Sequence, residues 1–114
     1  MNIKGTLPLL ILQTLAHSPN HGYRIAQIIK QRSKGVLDFK EGALYPALHG
    51  LEKDGHIESY ETVEQGRTRR YYRLTEKGKK VLATERKEWR QFSEAIRLVL
   101  EEAHFGAPIV GGQT

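Results

Sequence analysis

The chain contains no cysteine. That excludes a disulfide framework, a thiolate metal site and a cysteine nucleophile, and it fits a reducing, cytoplasmic setting. Long apolar runs are missing too. The run Leu7 to Leu12 is too short to span a bilayer, and its flanks carry neither a basic leader nor a small-residue cleavage site, so it reads as a buried helix and no membrane association is expected. The five histidines, His17, His21, His49, His56 and His104, form no ligand set with acidic residues. A phosphate-binding glycine loop and a serine elbow are likewise absent, so an enzyme, a metal centre and a bound cofactor are not expected.

What the chain has is positive charge in one place. Eighteen Lys and Arg against 13 Asp and Glu give a net charge of +5 over 114 residues, which favours an anionic partner. From Arg67 to Lys80 stand seven basic residues, Arg67, Arg69, Arg70, Arg73, Lys77, Lys79 and Lys80, against the single acid Glu76. The stretch before it, Glu52 to Glu64, is acidic. A duplex phosphate backbone rewards such concentration through counterion release, whereas a merely solvated surface intersperses its signs. With 39% hydrophobic residues the chain supplies a modest core for one domain and gains from sharing one with a second copy.

The organising stretch is Glu41 to Thr75. Leu44, Leu48 and Leu51 recur at i, i+4 and i+7, a single apolar stripe that leaves Ala43, Pro46, His49, Gly50 and Lys53 toward the other side of a helix. Pro46 is tolerated near a first turn, which sets the helix start near Glu41 or Gly42, and Gly55 suits a left-handed C-cap. A short strand marked by Ile57 and Tyr60 begins at His56, and Arg69 to Leu74 alternates as a second. Val63 to Thr68 is the expected hairpin tip between them. Upstream, Thr6 is placed to cap a helix carrying Leu7, Leu10, Ile11, Leu12 and Leu15, and Asn20 to cap a second, His21 to about Arg32, with Ile25, Ile28 and Ile29 on its apolar side. At that second start, Tyr23 either holds a phosphate or packs on the core. Helix, turn, helix and hairpin follow in the order of a winged helix-turn-helix. The expected fold is therefore mainly α with a small β-hairpin, residues 1–75 forming the DNA-binding domain.

Thr75 then caps a last long helix over 76–104. Leu82, Glu85, Trp89, Phe92, Ile96, Val99 and Ala103 are spaced three and four apart, a heptad seam interrupted by Glu85. At ~1.5 Å per residue such a helix is longer than the preceding domain is wide, so it is expected to pair with a second copy. Residues 105–114, with three glycines and a proline, read as a loose tail.

Taken together these segments resemble the short form of the PadR-type transcriptional regulators. The resemblance covers about residues 4 to 100: KGTLPLLILQTLA at the front, HGYRIAQ, EGALYPALHGLEKDG, GRTRRYYRLTEKG across the hairpin, and a closing helix containing EW. It implies a winged-helix homodimer that binds an operator in double-stranded DNA, usually as a repressor, with the third helix in the major groove and the wing at the minor groove. Tyr45 and Pro46 match the family's Tyr-Pro, and Arg69 to Tyr72 its basic-aromatic strand. A departure is Gly50, where many relatives carry a basic residue; interior glycine costs about 1 kcal/mol relative to alanine. The candidate DNA contacts on the helices are Tyr23, Gly42, Ala43, Tyr45, Pro46, His49 and Lys53. On the wing they are Arg67, Arg69 and Arg70. The dimer would form through Leu82, Trp89, Phe92, Ile96 and Val99. In some short PadR-like proteins an aromatic at the matching place lines a pocket for flat apolar effectors, which marks Trp89 and Phe92 as effector contacts or as simple interface packing.

Two other functions share parts of this pattern. A sequence-indifferent nucleic-acid binder would carry the basic wing without a shaped, largely uncharged helix face, and a protein-interaction module would have lost the basic cluster.

Overall fold

A computed structural model describes residues 3–101, with side-chain surroundings from Gly5 onward. The element order is α1 (Ile3–His17), β1 (Asn20–His21), α2 (Gly22–Arg32), α3 (Glu41–Lys53), β2 (Ile57–Glu64), β3 (Arg67–Leu74) and α4 (Glu76–Leu100). The chain divides into two compact units whose boundary falls between Ala83 and Thr84, beyond the Thr75 boundary expected from the sequence.

In the first unit, α1 presents Leu7, Ile11, Leu12 and Leu15 to the core. It begins by Ile3, ahead of the expected cap at Thr6, and carries Pro8 inside its early turns. Ser18 and Pro19 stop it, because the residue before a proline is pushed out of the α region. The second helix is capped differently from expectation. Asn20 does not cap it; Asn20 and His21 form a two-residue strand paired with Tyr72 and Tyr71. His21, with extended backbone, is the N-cap, and its Nδ1 accepts the Arg24 N–H at 3.3 Å. His17 and His21 are four residues apart, but α1 ends at one and the backbone is extended at the other, so their rings share no helical face.

Lys34 and Gly35, both at positive φ, turn the chain after α2, and Phe39 anchors the link to α3 in the core. In α3 the stripe Leu44, Leu48 and Leu51 is buried as expected. The helix closes on Gly55 at φ 77°, where His56 N donates to Leu51 O at 2.9 Å and Gly55 N to Glu52 O at 3.0 Å, the paired bonds of a Schellman end.

The hairpin strands are longer than the sequence pattern suggested. Pairing continues out to Glu64 opposite Arg67, so the tip shrinks from Val63–Thr68 to Gln65 and Gly66. Both have positive φ, 51° and 76°, as a two-residue turn matched to strand twist requires. With β1 added on the far side of β3 the sheet has three antiparallel strands in the order β1-β3-β2. Ile57 and Tyr72 carry its inner face into the core formed by α1, α2 and α3.

Thr75 caps α4, its Oγ1 accepting the Gly78 N–H at 3.0 Å. Leu82 is 7% exposed and belongs to the core of this first unit, not to a free seam. In the second unit Trp89, Phe92, Ile96, Val99 and Leu100 are exposed along α4. Arg97 bridges Glu94 and Glu101 at 2.7 and 2.5 Å, tying successive turns together. Ala103 and the tail 105–114 lie outside the described residues.

Candidate nucleic-acid interface

The buried stripe of α3 fixes where its remaining side chains go. At about 100° per residue, Tyr45 and Glu52 fall on the side toward the sheet, Gly42, Pro46, His49 and Lys53 point outward, and Ala43 and Ala47 lean toward α1. The outward four are exposed and carry one formal charge, Lys53. Gly42, Ala43 and Pro46 also line a shallow groove with Leu7 and Pro8 of α1.

Tyr45 is 37% exposed and lies against the first turn of α2. A Cβ on Gly22 would stand 3.0 Å from its phenol oxygen and 3.2 Å from two ring carbons, so the missing side chain at Gly22 makes room for that ring. His21, Gly22, Tyr23, Tyr45, Arg69, Arg70 and Tyr72 together line a recess of about 170 Å³ where α2, α3 and the sheet meet. Tyr23 is 65% exposed at its edge, which removes core packing as the reason for that residue.

The strand register separates two arginines that adjoin in sequence. Arg70 shares the inner face of β3 with Tyr72, whereas Arg69 shares the opposite face with Tyr71 and Arg73. Arg70 Nη2 lies 3.4 Å from Glu52 Oε2 on α3, and that carboxylate holds the guanidinium above its usual range. Arg69 Nε lies 3.3 Å from Glu64 Oε1, and its Nη1 stands 3.4 Å from His21 Nε2. Burial and then the Arg69 charge push His21 below the usual imidazole range. Tyr71 donates its hydroxyl to Glu64, which raises the phenol. Its ring meets His21 edge-on at 5.5 Å and Tyr60 at 5.9 Å, and Arg73 lies 4.8 Å over Tyr60. Lys53 and the wing-tip Arg67 make no ion pair among the described residues.

The recess thus gathers Tyr23, Tyr45, Arg69 and Arg70 from the sequence-derived set, while His49 and Lys53 stand on the outer face and Arg67 at the wing tip. Sequence reasoning missed Gly22, His21, Glu52 and Glu64. Alternation along β3 was enough to part Arg69 from Arg70; nothing local to Glu52 or Glu64 indicates which arginine each would meet.

Comparison with known proteins agrees with this geometry. The model of the Transcriptional regulator PadR-like family matches residues 11–84. The chain is 36% identical over 97 residues to a transcriptional regulator of Mycobacterium tuberculosis, covering 85% of each, and 38% identical over 100 residues to a protein of Lysinibacillus sphaericus, covering 87% of this chain and 92% of that one. Among solved structures it is similar to a transcriptional regulator from Clostridium thermocellum (TM-score 0.81, 32% identity, 87% of this chain and 97% of that chain). It is also similar to a PadR family transcription regulator from Clostridium difficile (TM-score 0.74, 34% identity, 85% and 100%). No helix among the described residues is long and apolar enough to cross a membrane. This chain belongs to the PadR-like family of transcriptional regulators, DNA-binding proteins and not enzymes.

Proposed function

We propose that the protein is a repressor that binds a pseudo-palindromic operator as a homodimer, with α3 in the major groove and the β2–β3 wing at the minor groove. The observation that carries this reading is the outer face of α3. Gly42, Pro46, His49 and Lys53 are exposed there with one charge among them, beside a strand that supplies Arg69 and Arg70. A shaped, weakly charged face suits contact with base edges, and the flanking arginines suit phosphates. Recovery of the DNA fragments that the protein retains from its host genome, followed by affinity measurements on those fragments and on random duplex at one salt concentration, tests it. Equal affinity for both would leave a sequence-indifferent binder.

Homodimerisation is supported by α4, where Trp89, Phe92, Ile96 and Val99 remain exposed along one stripe. An effector role for Trp89 and Phe92 is supported by their rings, 6.1 Å apart and inclined at 37°, each 39% exposed. Two copies of that pair would offer a dry slot for a planar aromatic compound. Such a ligand releases the operator only by binding two dimer conformations unequally. Planar aromatic dyes should therefore quench Trp89 saturably and lower operator affinity; quenching with unchanged affinity would leave Trp89 as packing alone.

A further inference from the structure

Neither wing arginine beside the recess is free. Arg70 is paired with Glu52 at 3.4 Å and Arg69 with Glu64 at 3.3 Å. The two carboxylates come from different elements, α3 and β2, and each is pinned by a second donor. Ser59 Oγ donates to Glu52 Oε2 at 2.5 Å, and the Tyr71 hydroxyl donates to Glu64. The guanidinium groups nevertheless stay accessible, the Arg70 and Arg69 side chains being 54% and 38% exposed, so an external anion can reach them.

We propose that Glu52 and Glu64 are internal counterions that compete with DNA phosphate for Arg70 and Arg69. This rests on the reading of the wing as a duplex contact. Each arginine then reaches DNA by exchanging a carboxylate for a phosphate, so the gain is smaller than for an arginine free in solution. The vacated carboxylate, held near the duplex by Ser59 or Tyr71, attracts a cation from solvent. That uptake offsets part of the counterion release, and the salt dependence becomes shallower than the number of phosphate contacts implies. Because the exchange involves no base, it weakens binding to every sequence, bulk genomic DNA included.

Glu52→Gln and Glu64→Gln test this, since the amide keeps an acceptor for Ser59 or Tyr71 and removes the charge. Affinity for a genomic fragment retained by the protein and for a random duplex of equal length would be followed through a salt series, with melting curves to verify the fold. Each variant should bind both duplexes roughly three- to tenfold more tightly at low salt and steepen the log–log salt slope by up to about 0.9. Glu64→Gln is independent of the α3–Ser59 contact and serves if Glu52→Gln melts early. Weaker binding, or an unchanged affinity and slope in variants whose wild-type parent binds DNA, overturns the proposal and makes the carboxylates mere supports for the arginines. A wild-type protein that binds no duplex overturns the wing reading as well.

Discussion

Gly78, in the first turn of α4, packs so closely on the turn after α3 that a Cβ on it would stand 2.0 Å from the His56 carbonyl oxygen. Around that contact Thr75 Oγ1 donates to Gly55 O at 2.6 Å, Lys77 Nζ to Asp54 O at 2.9 Å and Thr75 N to His56 O at 3.2 Å. The start of α4 is thereby fastened to the end of α3. Gly78→Ala should force the two apart, because backbone cannot yield as a flexible side chain does. The expected cost is about 1–3 kcal/mol, or a fall of several degrees in Tm. A melting curve matching the wild type would show that the helix start has slack.

Gly22 faces a softer neighbour. Its missing Cβ accommodates the Tyr45 ring, which is partly exposed and able to swing outward. Gly22→Ala should therefore leave stability within about 1 kcal/mol of wild type while displacing Tyr45. Under the proposed docking, affinity for the operator falls and affinity for random DNA does not. Unchanged operator affinity would detach Tyr45 from sequence reading.

Arg69 and Arg70 should behave differently as single alanine variants. Each should lower affinity for all duplexes and reduce the salt slope, but by less than the ~0.9 of an unpaired arginine, because cation uptake at the vacated Glu64 or Glu52 already offsets part of the counterion release. Arg70, on the face of β3 turned toward α3, should lose more than Arg69 on the opposite face. Equal losses in the two variants would contradict that ordering.

Much of this fold is written in local pattern. The Leu44, Leu48 and Leu51 stripe, the Gly55 cap and the alternation of Tyr72 and Leu74 each follow from one element's own periodicity. The misses depend on contacts distant in sequence. Asn20 looks like a cap until β3 is available to pair with it, fifty-two positions away in the register Asn20↔Tyr72. Leu82 sits in a heptad spacing that runs on into the exposed stripe, and only the packing of the first unit claims it for the core. The candidate site divides in the same way. His49 and Lys53 were legible from the helix face, but the partners of Arg69 and Arg70 come from other elements.

His21 gives the fold a dependence on pH. Its Nδ1 accepts the Arg24 N–H, which requires an unprotonated nitrogen, and burial followed by the charge of Arg69 lowers its pKa. The unfolded chain therefore binds the proton more readily than the folded one. The contribution is fully present above the ordinary histidine value of about 6.5 and is lost as pH falls from there through the lower folded value. In His21→Asn, whose side chain caps without titrating, that part of the acid loss in Tm should disappear. A wild-type profile parallel to that of the variant between about pH 7.5 and pH 5 would rule out this linkage.

The α4 stripe provides the sharpest test of assembly. Ile96 and Val99 are 44% and 67% exposed on the same side as Trp89 and Phe92, whereas Leu98, 45% exposed, lies about 200° around the helix from Ile96. If two copies pair along that stripe, aspartate at Ile96 or Val99 buries an unpaired charge and should weaken the dimer on the order of a hundredfold or more. Aspartate at Leu98 replaces an equally exposed leucine off the seam and should leave the dimer intact. Sedimentation at micromolar concentration separates these outcomes. A dimer broken by Leu98→Asp and tolerant of Ile96→Asp would place the interface on the other side of α4. A monomeric wild type would remove the homodimer, and with it the slot between two Trp89 rings.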